Sequence, residues 1–458
     1  MPRKKIVYDP QEGIDVSQLT REHPTMKRLR PYQRKKIDAC ANDYLNFLNK
    51  VNIATDVVDE VGRRVEKAGF GEKNKDFFMT EREGTAFAMI GFGKKPLIDG
   101  LRLLYSHTDA PCLQAKVKPL HLEWDPDLKE LHLGVEIDTH GYGGILSPQW
   151  GGRNLRAVGW SIINGRRKKY DFDVHSAERA QHTDPDPDRE HREEFLDVVS
   201  GHQSKKSLLK AMGLKRVEDF VRTRLYFVPD SEAKRINDYF ISGYGQDCRI
   251  GIYSSVEALL QSKPKYTTIV LGFDKEEVGS GGIAGAKGNF LERVINKTLM
   301  VGEDKNLRDI TVGLRDHIYY NSLAINADVD VGSTHREEEV VDKKIVGKLG
   351  YGTFISGTDG YFEGDQVSPY VADKIMTVFE RRGIIYQTIG NPCPVDEGSI
   401  VSMNEFFVDR GIPTINVGVV LGSLHSTAEI SHIGDLHYAI QGYKAFIEDP
   451  VRKTKKRR

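Results

Sequence analysis

A chain of 458 residues is too long for one compact core, so two domains or one domain with a large insertion are expected. Lysine plus arginine match aspartate plus glutamate at 66 each, which leaves no net field to favour nucleic acid or an anionic membrane. No apolar run approaches the ~20 residues of a spanning helix, "MPRKKIVYDP" lacks the apolar centre of a secretory signal, and Cys40, Cys112, Cys248 and Cys393 lack the CxxC spacing of a zinc ribbon, which suits a reducing cytoplasm.

In chain order, a helical region runs through "YQRKKIDACANDYLNFLNK", and a second through "IATDVVDEVGRRVEKAGF". In the second, Val58, Val61, Val65 and Ala68 keep helical spacing and Gly69 supplies the stop. Strand-like "TAFAMIGFG" and "LRLLYSH" follow. From about Leu120 to Lys234 the pattern changes to strand-like pieces ("ELHLGVEID", "AVGWSII", "KKYDFDVH"), an Asp/Pro-rich polar loop in "HTDPDPDREHREE", and a short helix around "KKSLLKAMG". Alternation then resumes: helix "RIGIYSSVEALLQSK", strand "TTIVLGFD", helix "GAKGNFLERVINKTL", strand "NSLAINADVD", helix "ADKIMTVFERRG", strand "IPTINVGVV" and helix "GDLHYAIQGYKAFIED". The expected fold is α/β: a mixed, mostly parallel central sheet flanked by helices, with a largely β unit inserted into it. The boundaries expected are 1–119 and 235–458 for the α/β domain and 120–234 for the insertion. The closing "RKTKKRR" reads as a solvated charged tail.

Open α/β sheets bind their ligands beyond the carboxyl ends of the strands. Acidic and histidine residues gather at those ends: His107 and Asp109, then Asp274, Glu276 and Glu277, then Asp328 and Asp330, and finally His425, with Asp247 just before a helix. Each alone reads most simply as a structural histidine or a solvated carboxylate. Together, imidazoles and carboxylates without thiolates suit zinc, manganese or cobalt. Two such ions ~3.5–4 Å apart form a hydrolytic clamp. Residues two apart on a strand share a face, so Asp109 can hold the far ring nitrogen of His107. At a strand end loosening into the glycines of "FDKEEVGSGG", both glutamates can face one site, one as ligand and one holding the water.

The segments "YSHTDAPCLQAKVKP", "YGGILSPQWGGRNLRAVGW", "FDKEEVGSGGIAGA", "AINADVD" and "SLHSTAEI", in that order, resemble the M18 metallo-aminopeptidases, the aspartyl aminopeptidase and aminopeptidase I group of di-zinc exopeptidases. The resemblance covers nearly the whole chain and is nearer the bacterial aminopeptidase I branch. It implies removal of the N-terminal residue from unblocked peptides, with two divalent ions per subunit, zinc foremost and cobalt or manganese as alternatives. By the same resemblance His107 and Asp328 are ligands of the first metal, Glu277 and His425 of the second, and Asp247 bridges them. Asp109 orients His107, Glu276 is the general base, and His175 in "DFDVHSAER" is similar to the histidine that reaches a neighbouring subunit's active site from the dimerisation domain. The family's dimers build dodecamers around an enclosed cavity, which implies a homo-oligomer acting on short peptides. Departures are local: "YGQDCR" stands where typical members read "PRLDN", so Cys248 replaces an asparagine, and "VDVGSTHREEE" and "VDEGSI" replace the usual runs. Two other readings of the same residues are a di-metal amidohydrolase or dipeptidase and a non-catalytic scaffold.

Overall fold

A computed structural model describes residues 23–27, 29–72, 74–120, 135–176, 196–333, 341–356, 368–390 and 403–448. The N-terminal stretch, the "HTDPDPDREHREE" loop, "THREEE", "VDEGSI", Cys393 and the basic tail lie outside the described residues.

The larger sheet has eight strands in the order Phe77–Thr80, Phe87–Gly91, Thr268–Phe273, Arg102–His107, Leu323–Asn326, Thr414–Gly418, Thr353–Ser356 and Tyr386–Ile389. Its central pairings are parallel, while Phe87–Gly91 and Thr353–Ser356 join antiparallel on either side. The sheet is therefore mixed, as the alternating sequence suggests. Every residue of Thr268–Phe273 and Arg102–His107 is buried, which is why these strands read as continuous apolar runs.

Side-chain alternation divides the core between the two faces of this sheet. Leu104, Val270 and Ile325 pack with helices Pro31–Leu48, Ala54–Lys67, Gln246–Leu260 and Ile433–Glu448. Leu103, Tyr105, Ile269 and Leu271 face the other way, against helix Phe290–Glu303. Val58, Val61 and Val65 line the buried side of their helix as their spacing predicts, and Gly69 ends it at φ +63°. One expected helix starts later: "GAKGN" stays irregular and the helix begins at Phe290.

The inserted region forms a seven-stranded sheet, antiparallel in every pairing. It includes Cys112–Ala115, ahead of position 120, and ends with Thr223–Pro229. Helix Lys205–Met212 covers this sheet with Leu208, Leu209 and Met212. Its N-terminus is capped by Ser204, which accepts the Ser207 N–H, and Gly213 closes it in the left-handed conformation. A three-stranded sheet of Lys234–Ile236, Phe240–Gly243 and Glu429–His432 joins the segment after the insertion to the C-terminal part of the chain.

Candidate metal centre

Three parallel strands end in step. Phe273 is level with His107, and Asn326 with Tyr105. The loops leaving them therefore place His107 and Asp109, Asp274 to Glu277, and Asp328 at one edge of the sheet. Helix Gln246–Leu260 contributes Asp247 at its start, and the hairpin closed by the Gly422–Ile430 bridge contributes His425.

Asp247 stands between the two histidines. Its Oδ1 lies 2.9 Å from His107 Nε2 and its Oδ2 3.1 Å from His425 Nε2. On the His107 side Asp328 Oδ1 is 3.5 Å from the same nitrogen. On the His425 side Glu277 Oε2 is 3.6 Å away. The opposite ring nitrogens are occupied: His107 Nδ1 faces the Asp109 carbonyl at 3.1 Å and its carboxylate at 3.3 Å, and His425 Nδ1 donates to the Gly144 carbonyl at 2.8 Å. Holding Nδ1 in this way presents the Nε2 lone pair of each ring to a metal.

Asp109 also accepts the backbone N–H groups of Glu276 and Glu277, each at 3.2 Å, and the Tyr142 hydroxyl at 2.9 Å. One carboxylate thus orients a histidine and fixes the "EE" turn. That turn is tight, with Lys275 at φ +67°. Gly143, at φ +75°, packs so closely that an added Cβ would stand 3.0 Å from Glu277 Oε2; only glycine suits both conditions. The two glutamates differ in setting. Glu277 is buried, and its Oε1 has no hydrogen-bond partner, whereas Glu276 is half-buried at the rim.

Donor atoms of His107, Asp247, Cys248 and Asp328 lie within 4.8 Å of one another, as do those of Asp247, Glu277 and His425, and those of His107, Glu276 and Glu277. Among the described residues no lysine or arginine pairs with Asp247, Glu276, Glu277 or Asp328. The charge balance is instead visible in protons. Burial opposes its ionisation, yet hydrogen bonds from His107 and His425 hold Asp247 well below the usual carboxylate range. Burial also favours neutral imidazoles, but Asp328, Asp109 and Asp247 hold His107 well above its ordinary value, and Asp247 with Glu277 takes His425 up to about 10. Burial and Asp247 push Glu277 well up; burial, outweighing His107 and reinforced by Asp328, pushes Glu276 up to about 8. Buried carboxylates that lean this heavily on protons fit divalent cations, which carry the same positive charge to the same oxygens. The unpartnered Glu277 Oε1 is a further donor awaiting a partner.

All five expected metal-binding residues, with Asp109 and Glu276, converge here. His175 does not. It lies exposed on the antiparallel sheet, opposite Asn154, whose side-chain oxygen is 3.2 Å from its Nδ1. Two contributors lie in segments that carry the family resemblance but have no role assigned from sequence. Glu429 accepts the N–H groups of Asp247 at 3.1 Å and His425 at 2.9 Å, and four-residue spacing from His425 is its only local sign. The "YGG" of residues 142–144 supplies the Tyr142, Gly143 and Gly144 contacts, which tie the inserted sheet to the centre.

The family model for the aminopeptidase I zinc metalloproteases (M18) matches residues 47–178 and 171–447. A probable M18 family aminopeptidase 1 of Borreliella afzelii is 28% identical over 93% of this chain and 100% of its own length. The crystal structure of the M18 aminopeptidase from Thermotoga maritima superposes with a TM-score of 0.81 at 25% identity, covering 94% of this chain and 99% of that one. The mApe1 dodecamer of Saccharomyces cerevisiae shares the fold at a TM-score of 0.68 and 17% identity, over 90% of this chain and 97% of that one. With the family model spanning the strand ends and the inserted sheet alike, the chain belongs to the M18 family of zinc metalloproteases and is a metallo-aminopeptidase.

Proposed function

We propose that this enzyme removes single residues from the N-termini of unblocked peptides at a centre for two divalent ions, zinc by preference. The observation that carries the reading is the sharing of one carboxylate, Asp247, between two imidazoles, each flanked by a further carboxylate. His107 and Asp328 would hold one ion, Glu277 and His425 the other, with Asp247 between them. Bound there, the ions would polarise the scissile carbonyl and acidify the attacking water.

Glu276 is the proton carrier. Its half-buried carboxylate sits at the rim, makes no side-chain hydrogen bond among the described residues, and is held by its backbone on Asp109. It takes a proton from the attacking water at a carboxylate oxygen and gives it to the departing amine nitrogen. Its upward push to about 8 belongs to the cluster with protons alone; cations held by the neighbouring residues would lower it towards the range where a base works at neutral pH. Asp109 positions rather than reacts, through His107 and the two glutamate amides.

The inserted unit, assigned to 120–234 with Cys112–Ala115 joining its sheet, is proposed as a dimerisation element in a homo-oligomer. The exposure of His175 on that sheet supports a role in a neighbouring subunit's site, and the yeast relative's dodecamer supports a closed assembly. No helix among the described residues is long and apolar enough to cross a membrane. Cys40, Cys112 and Cys248 are free thiols, which supports a cytoplasmic setting.

The test is a panel of aspartyl, glutamyl and leucyl peptides, each with a free or an acetylated N-terminus, assayed with zinc, cobalt and manganese. Turnover of the free forms alone is expected. Preferential cleavage of acylated substrates would reassign the centre to an amidohydrolase.

A further inference from the structure

Cys248 follows Asp247 and is fully buried. Ser106 Oγ lies 2.8 Å from its Sγ and 3.2 Å from its carbonyl oxygen, one hydroxyl proton being shared between the two, and the thiol donates to the Ala327 carbonyl at 3.3 Å. Both partners stand one position before a residue assigned to the first ion: Ser106 before His107, Ala327 before Asp328. The thiol thus joins the ends of two parallel strands to the start of a helix at the point where each delivers a metal-binding side chain.

There is no slack in this junction. At Gly251, one turn into the helix, an added Cβ would collide with the Ala327 carbonyl and stand 2.7 Å from both Cys248 Sγ and Ser106 Oγ. The helix therefore presses directly on the two strand ends. The Sγ also lies within the 4.8 Å group formed with His107, Asp247 and Asp328, so direct ligation is the rival role. Its hydrogen bonds argue otherwise, because the proton is engaged by Ala327 and a lone pair by Ser106.

We propose that Cys248 is a positioning residue whose thiol clamps Ser106 and Ala327 and so sets the spacing of His107, Asp247 and Asp328 around one of the two ions, without binding it. This rests on reading those three residues as ligands.

The experiment is metal titration of the intact enzyme and its variants, with the near-ultraviolet and visible spectrum of the cobalt-loaded forms. The wild type is expected to show no thiolate-to-cobalt charge-transfer band. Cys248→Ala should bind one of two equivalents about 10–100-fold more weakly, the usual cost of losing an outer support, and weaken the other less, through the shared Asp247 alone. Cys248→Ser should recover part of that loss, since a hydroxyl can keep both hydrogen bonds. Ser106→Ala removes the clamp from the other side and should weaken the same equivalent, so it carries the test if Cys248→Ala does not fold. A charge-transfer band in the wild type that disappears in Cys248→Ser would make Cys248 a ligand and overturn the proposal. Unchanged affinities in both clamp variants would overturn it equally. His107→Ala separates the two levels: if it retains both equivalents, the ligand assignment fails rather than the clamp.

Discussion

Glu429 accepts the backbone N–H of Asp247 at 3.1 Å across 182 residues of sequence. Its second oxygen takes the His425 N–H, so one buried carboxylate fixes both Asp247 and His425, the residues proposed as the shared and one terminal ligand. Glu429→Gln keeps the shape but sets an amide N–H₂ against one of two N–H donors. A loss of about 10–100-fold in zinc affinity is expected, read by competition with a chromophoric chelator. An unchanged affinity would remove Glu429 from the account.

Zinc should also stabilise the fold. The centre gathers carboxylates that find no lysine or arginine among the described residues, so cations that bind only the folded chain add their binding free energy to it. At a thousandfold excess over Kd this is about 4 kcal/mol per ion, a rise of several degrees in Tm. Chelation should lower Tm and abolish activity, and zinc, cobalt or manganese should restore both. Chelator-resistant turnover would reject the metal mechanism.

Away from the centre, a separate acid response is expected from His432. Its ring is fully buried, stacked 4.7 Å from His23, and its Nδ1 accepts the Gly434 N–H at 3.1 Å. Burial, with the His23 and Arg34 charges, pulls it down to about 3. Asp435 nearby is pushed up to about 8 by burial, against the Gly350 and Gly352 N–H groups that it accepts. For a base with a depressed folded value, the unfolded chain binds the proton first as pH falls below about 6.5. The stability contribution is therefore complete above that pH and is lost between about 6.5 and 3. His432→Gln should show a shallower fall of Tm across this window than the wild type. Parallel slopes would contradict the assignment.

Much of this arrangement was legible from local pattern, because parallel strands buried on both faces leave apolar runs and their ends mark the ligand edge. His107, Glu276, Glu277 and Asp328 all sit where such a run stops. Elements with weak local signals were harder to read. Helix Val312–Asn321 buries only Ile318 and Tyr319, and strands Thr353–Ser356 and Tyr386–Ile389 are four residues each. Glu429 and Tyr142 act through contacts whose partners lie far along the chain, so sheet order, which no local window encodes, decides their roles.

The adjacent glutamates of "FDKEEVGSGG" differ in setting, and the proposed roles follow it: buried Glu277 as a metal ligand, Glu276 at the rim as the proton carrier. The most direct test of this division is Glu276→Gln, with bound zinc and peptide turnover measured on the same sample. The account predicts a full complement of metal and a loss of kcat of at least about a hundredfold. Near-normal hydrolysis by that variant would contradict it.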